Sequence, residues 1–145
     1  MHNEPGKTIP LRQATLIKCL THNGLVYSNA SATYRDSLAI VSLSSNEKVP
    51  AQIQYIFTAY QEYSIFPKPL GLFICIKLFS AAASDIEDPF REFPIWNACL
   101  YIKTPAPELC ILPVSAIQCH FAQITFDNSH NLIVPLDRVC FRIVS

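Results

Sequence analysis

Eleven prolines are spread along a chain of 145 residues, and this feature constrains the fold more than any other. Each proline fixes φ, lacks a backbone donor and interrupts an α-helix. No window of a dozen residues keeps apolar side chains at spacings of three and four without a break, so no long amphipathic helix is expected. What remains is a series of short extended runs between turns. Half of the residues are apolar and 15% are charged, a balance that supplies a core and is too hydrophobic for a disordered chain. The length suits one domain. The expectation is an all-β fold, a single small barrel-like domain over residues 16–145 with at most short helical turns, preceded by an N-terminal arm over residues 1–15.

The runs can be placed individually. Asn23-Gly24 separates residues 17–20 from residues 25–27, and that dipeptide accepts positive φ at both turn positions, which predicts a hairpin. Residues 37–43 (SLAIVSL) read as a short buried strand ended by the polar turn 44–48. Residues 50–60 (PAQIQYIFTAY) set Ala51, Ile53, Tyr55 and Phe57 against Gln52, Gln54, Ile56 and Thr58, a period of two that predicts Gln52 and Gln54 on a wetter face. Residues 61–69 read as a loop, and residues 70–79 (LGLFICIKLF) as the strongest core strand. Residues 80–94 form a long connection with one helical turn after Ser84. Residues 96–103 and 109–117 are two more strands, expected to pair as a hairpin across the proline-containing turn 104–108. Residues 119–124 continue in extended form, 127–131 make a turn, and 132–135 with 139–144 complete the strands.

Charge and cysteine content narrow the function classes. Eleven basic residues balance eleven acidic ones, so no net field steers the chain onto nucleic acid or favours strong nonspecific DNA binding. The first fifteen residues lack the apolar segment of a secretory signal. The longest apolar runs fall short of the roughly 20 residues that span a bilayer, and an intracellular protein without a membrane segment is expected. Cys19, Cys75, Cys99, Cys110, Cys119 and Cys140 are scattered rather than paired, which reads as buried free thiols and not as a disulfide framework or a zinc site. Neither a metal nor a cofactor is expected.

Catalytic constellations are not evident. G-x-S-x-G, a glycine-rich phosphate loop and H-E-x-x-H are all missing from the sequence, which has only three glycines. His120 sits in an apolar run beside Cys119, but neighbours on a strand point to opposite faces, so a structural histidine is the expectation. Asp85, Glu87, Asp88 and Glu92 lie close to Arg91 and read as a solvated, locally paired surface. Phe79, Phe90, Phe93, Trp96 and Tyr101 form an aromatic stretch with two readings: a cage for a cationic group such as a methylated lysine, or core packing.

Taken in order, SLAIVSL, VPAQIQYIF, GLFICIKLF, DIEDPFREFP and LCILPVSAIQCHFA resemble the pattern of bromo-adjacent homology domains over residues 37–122. Lys77-Leu78-Phe79-Ser80 stands where many such domains carry tryptophan and tyrosine. The end of the chain, with Pro113 to Ala122 and Pro135 to Arg138, is similar to a β domain of proteins encoded by fungal mobile elements. The resemblance implies a non-catalytic protein-interaction module in the nucleus, derived from a transposon and associated with chromatin, with a protein or peptide partner such as a histone. Two other readings stand beside it. One is a nucleic-acid-binding β-barrel using Lys68, Lys77, Arg91 and Lys103; the other is a cysteine-dependent enzyme or redox sensor centred on Cys119 or Cys110. Homodimerisation is a further expectation for so apolar a chain.

Overall fold

The computed structural model describes residues 14–44, 46–60, 69–83 and 98–136. Among these residues ten strands follow in order: β1 Thr15–Ile17, β2 Cys19–His22, β3 Leu25–Ser28, β4 Leu38–Ser42, β5 Lys48–Tyr60, β6 Pro69–Leu78, β7 Cys99–Ile102, β8 Cys110–Pro113, β9 Ile117–Thr125 and β10 His130–Leu136. Helical structure among the described residues is limited to single 3-10 turns, at Arg35–Ser37 and Val114–Ala116. The fold is all-β and barrel-like, as the proline distribution predicts.

Eight strands form one sheet in the order β7-β10-β9-β4-β5-β6-β8, with β1 added beside the C-terminal half of β5. The sheet curls strongly. Where the chain leaves β6, Ala82 N donates to Leu100 O and Ile102 N to Ser80 O, and Ala81 bridges Tyr101. These bonds tie β7, at one end of the strand order, back to the chain emerging from β6 near the other. The Asn23-Gly24 hairpin forms as expected: β2 and β3 pair from Cys19↔Ser28 to His22↔Leu25, with φ of 53° at Asn23 and 78° at Gly24. Both turn positions are thus left-handed, the conformation that asparagine and glycine tolerate best.

Alternate residues of the same strands feed cores on opposite faces. Ala39 and Val41 of β4 join Ala51, Ile53, Ile56, Ile74, Ile76 and Ile117, and Tyr27 of the hairpin packs into this cluster. Leu38 and Ile40 point the other way, toward Phe79, Phe121 and Ile133. Burying an isoleucine side chain stabilises by about 1.5–3 kcal/mol, and five isoleucines lie in the first cluster alone. Among the described residues this is the largest of the hydrophobic clusters.

The structure corrects several expectations. The runs around 96–103 and 109–117 do not pair with each other: β7 pairs with β10, and β8 with β6. The turn between them is irregular enough to let each strand find a different neighbour, and Ala106 N donates to Leu78 O on the way. The 109–117 run is not one strand either, because the 3-10 turn at Val114–Ala116 divides it between β8 and β9. The even alternation read in residues 50–60 breaks at Gln54. Ile53 faces Ile76 and Tyr55 faces Cys75, so Gln54 is an extra residue on β5. A bulge of this kind shifts the side-chain phase by one. Ile56 therefore enters the main core, whereas Tyr55 is 51% exposed. Gln52 and Gln54 are half-buried rather than on an open face. A second bulge, at Gln118, does the same for β9, placing Ile117 in one core and Cys119 beside the other.

The described cysteines are not in disulfides, but of these only Cys75 is buried; Cys19 and Cys99 are exposed, and Cys110 and Cys119 intermediate. Cys140, the strand expected at 139–144 and the helical turn after Ser84 lie outside the described residues. Among the described residues, no helix is long and apolar enough to cross a membrane.

Candidate interaction surface

The aromatic stretch singled out from the sequence is only partly placed. Phe79 is 3% exposed and meets Phe121 edge-on, with ring centroids 5.9 Å apart. It is a core residue. Tyr101 is half-buried against the same cluster, and burial pushes its phenol pKa up, reinforced by Cys99 and Glu47. Phe90, Phe93 and Trp96 lie outside the described residues. Of the cationic residues proposed for a nucleic-acid groove, Lys77 lies on β6 opposite Gln52 and Lys103 follows β7 in an exposed turn; Lys68 and Arg91 are outside the described residues.

A different apolar surface emerges from the strand register. Residues directly opposite each other in an antiparallel pair share a face. Tyr55 faces Cys75, and Cys75 faces Ile111, which makes one rung across β5, β6 and β8. Two residues along, Leu16 faces Phe57, Phe57 faces Phe73, and Phe73 faces Pro113, a second rung that also crosses β1. Both rungs lie on the face away from the main core, and neither contains a charged residue. Phe57 and Phe73 stack with centroids 5.7 Å apart. Leu16 is 69% exposed and Ile111 55%. Cys75, between Tyr55 and Ile111 in its rung, and Phe57 in the next are buried, and burial, followed by the nearby Cys110, raises the Cys75 thiol pKa. That protonated, enclosed sulfur is a poor nucleophile.

The rungs end at β8, the terminal strand of the sheet order, whose only pairing among the described residues is with β6. An edge strand presents backbone donors and acceptors that another extended chain can use. Period-two reading of residues 50–60 misses this surface because it assigns Tyr55 and Phe57 to the same face as Ala51 and Ile53. The bulge at Gln54 reverses that assignment. The sequence signal that could have found the surface is the pair Leu109 and Ile111, two large apolar residues at the start of the short strand β8, both exposed.

His120 occupies the opposite side of the same architecture. Its ring stacks on Tyr27, centroids 4.0 Å apart and planes 12° from parallel. Nδ1 stands 3.1 Å from Leu38 O and Nε2 2.8 Å from Val26 O. The residue thereby clips the β2–β3 hairpin to β4 and β9. Its neighbour Cys119 points to the other face, toward Ile40, so the two do not form a thiol–imidazole pair. Both ring nitrogens of His120 thus face backbone carbonyls, one of which a neutral imidazole can serve as donor. Among the described residues there is no group of three or more His, Cys, Asp or Glu side chains positioned for a metal ion. In comparisons with known proteins, no family model, no curated protein and no solved structure matched this chain.

Proposed function

We propose that this chain is a non-catalytic protein-interaction module that takes up an extended peptide along β8. The observation that carries this reading is the pair of uncharged rungs, Tyr55–Cys75–Ile111 and Leu16–Phe57–Phe73–Pro113, running out to an edge strand. A peptide added beside β8 makes main-chain hydrogen bonds to the edge and places alternate side chains over the rungs. The uncharged lining selects a peptide with apolar residues at positions i and i+2. Within the resemblance to bromo-adjacent homology domains and mobile-element proteins, the proposed setting is nuclear and chromatin-associated, with a histone segment as one peptide of this kind.

The test is selection from a displayed random-peptide library against the purified full chain, followed by titration of the selected peptides and of histone-tail peptides into the protein and its Ile111→Asp variant. Ile111 is exposed, so the variant retains its core, and unchanged circular dichroism checks this. Recovery of peptides with alternating apolar residues, bound at least tenfold more weakly by Ile111→Asp and protecting the amides of residues 110–112 from exchange, supports the proposal. Failure to select any such peptide, or affinity indifferent to Ile111→Asp, overturns it. Binding of single-stranded oligonucleotide that falls steeply with salt would replace it by the nucleic-acid reading. Concentration-dependent dimerisation abolished by Ile111→Asp would assign the edge to a second copy.

A further inference from the structure

A cavity of about 460 Å³ lies where the β2–β3 hairpin meets the sheet, lined by Leu25, Val26, Arg35, Asp36, His120, Phe121 and Leu136. It shares no residue with the rungs that end at β8. Its size falls within the range of small-molecule sites, and its walls are held in place by the fold. Phe121 is a core residue. His120 is held by a hydrogen bond from its ring to a backbone carbonyl and by its stack on Tyr27. The 3-10 turn that carries Arg35 and Asp36 is anchored by the buried Ser37, whose hydroxyl donates to Tyr34 O at 2.6 Å.

The polar groups are few and of both signs. Arg35 Nε lies 3.6 Å from Asp36 Oδ1, and among the described residues this is the contact that engages the guanidinium. The two terminal nitrogens of the fork are open to a carboxylate, the anion whose geometry they match. Among the described residues Asp36 is engaged through Oδ1, which leaves Oδ2 for a cation. The Arg35 side chain is 88% exposed and that of Asp36 25%, so the pair by itself contributes little to stability. Apart from His120, the other described residues on the wall are apolar. Both ring nitrogens of His120 already face backbone carbonyls. A ligand complementary to this arrangement carries a carboxylate and an ammonium close together and an uncharged apolar body.

We propose that the cavity binds a free apolar α-amino acid, its carboxylate on Arg35, its ammonium on Asp36 and its side chain against Leu25, Val26, Phe121 and Leu136. Both charges sit on one carbon in such a ligand, as the adjacency of Arg35 and Asp36 requires. The occupant is a small molecule, distinct from the peptide proposed for β8, and the two readings stand or fall separately.

The test titrates L-phenylalanine and L-leucine into the full chain, followed by amide and methyl chemical shifts, with three reference ligands: 3-phenylpropionate, which lacks the ammonium; phenylethylamine, which lacks the carboxylate; and L-serine, which lacks the apolar body. The expected result is saturable binding of phenylalanine or leucine with shifts at residues 25, 26, 120, 121 and 136, and each reference ligand weaker by about tenfold or more. Arg35→Gln and Asp36→Asn should each weaken binding by a similar factor, while Ile111→Asp leaves it unchanged. Arg35 is exposed enough that its variant keeps the fold, so the test survives even if Asp36→Asn does not. Absence of saturation at millimolar phenylalanine, equal binding of 3-phenylpropionate, or indifference to Arg35→Gln overturns the proposal.

Discussion

Replacing His120 with alanine tests how the hairpin is held. The side chain joins three elements: β9, which carries it, β4 through Leu38 O, and β3 through Val26 O and the Tyr27 ring. A neutral imidazole has one N–H for the two carbonyls, so one net hydrogen bond of roughly 0.5–1.5 kcal/mol is lost. The aromatic stack adds roughly 0.5–1.5 kcal/mol, and a partly buried carbonyl left without its donor about 1 kcal/mol. The sum is about 2–4 kcal/mol, a large share of the roughly 5–15 kcal/mol that holds a domain together. For a domain of this length it lowers Tm by roughly 6–16 °C. Urea unfolding followed by far-ultraviolet circular dichroism measures the loss directly. His22→Ala is the control, since His22 Nε2 makes two longer contacts, 3.2 Å to Ile117 O and 3.4 Å to Asn23 Nδ2, and the ring an edge-on contact at 6.3 Å; it should cost less than half as much. A double-mutant cycle of His120→Ala with Tyr27→Leu should return a coupling of roughly 0.5–1.5 kcal/mol. A loss below about 1 kcal/mol for His120→Ala, or one no larger than for His22→Ala, would refute the clip.

Three further outcomes are expected. Gly24→Ala, placed at φ 78°, should destabilise by about 1 kcal/mol, read from the same unfolding curves; an unchanged midpoint would show that the hairpin turn does not matter to the fold. Asp127 accepts from Ser129 N at 2.8 Å and from His130 Nδ1 at 3.0 Å, and these bonds, the backbone one foremost, lower its carboxyl pKa. A lowered folded pKa means that the stabilisation is present above the unfolded carboxylate pKa of about 4 and is lost as pH falls through the folded value, so the stability gap between wild type and Asp127→Asn should close on acidification from pH 5 to pH 2. A gap that stays constant would remove Asp127 from the account. Alkylation of the native chain mapped by mass spectrometry should label Cys19 and Cys99 well before Cys75, whose thiol is enclosed and raised in pKa by burial; equal rates would mean that the Phe57–Phe73 surface opens readily.

The sequence by itself determined the class of fold and many of its pieces. Proline spacing excluded long helices, Asn23-Gly24 specified a hairpin turn through its φ requirements, and SLAIVSL and LGLFICIKLF marked strands that do supply core residues. These features are local: they depend on backbone sterics and on side chains a few residues apart. The opposed directions of Cys119 and His120 were also legible, because alternation along a strand is local. The tertiary structure alone decided which strands meet and which face each residue takes. Nothing in residues 96–117 dictates that β7 should prefer β10 and β8 prefer β6, since strand pairing is settled by burial across the whole sheet. Gln54 and Gln118 look like ordinary strand residues, yet a bulge at each reverses the phase of the strand beyond it, and only the partner strand reveals the extra residue. Phe79, read from the sequence either as part of a recognition cage or as core packing, is core, whereas Tyr55, read on the same face as Ala51 and Ile53, is on the surface. The cavity beside Arg35 and Asp36 likewise joins residues from the hairpin, a 3-10 turn and the strands β9 and β10, and such convergence is a property of the folded chain because segments distant in sequence become neighbours only when the sheet curls.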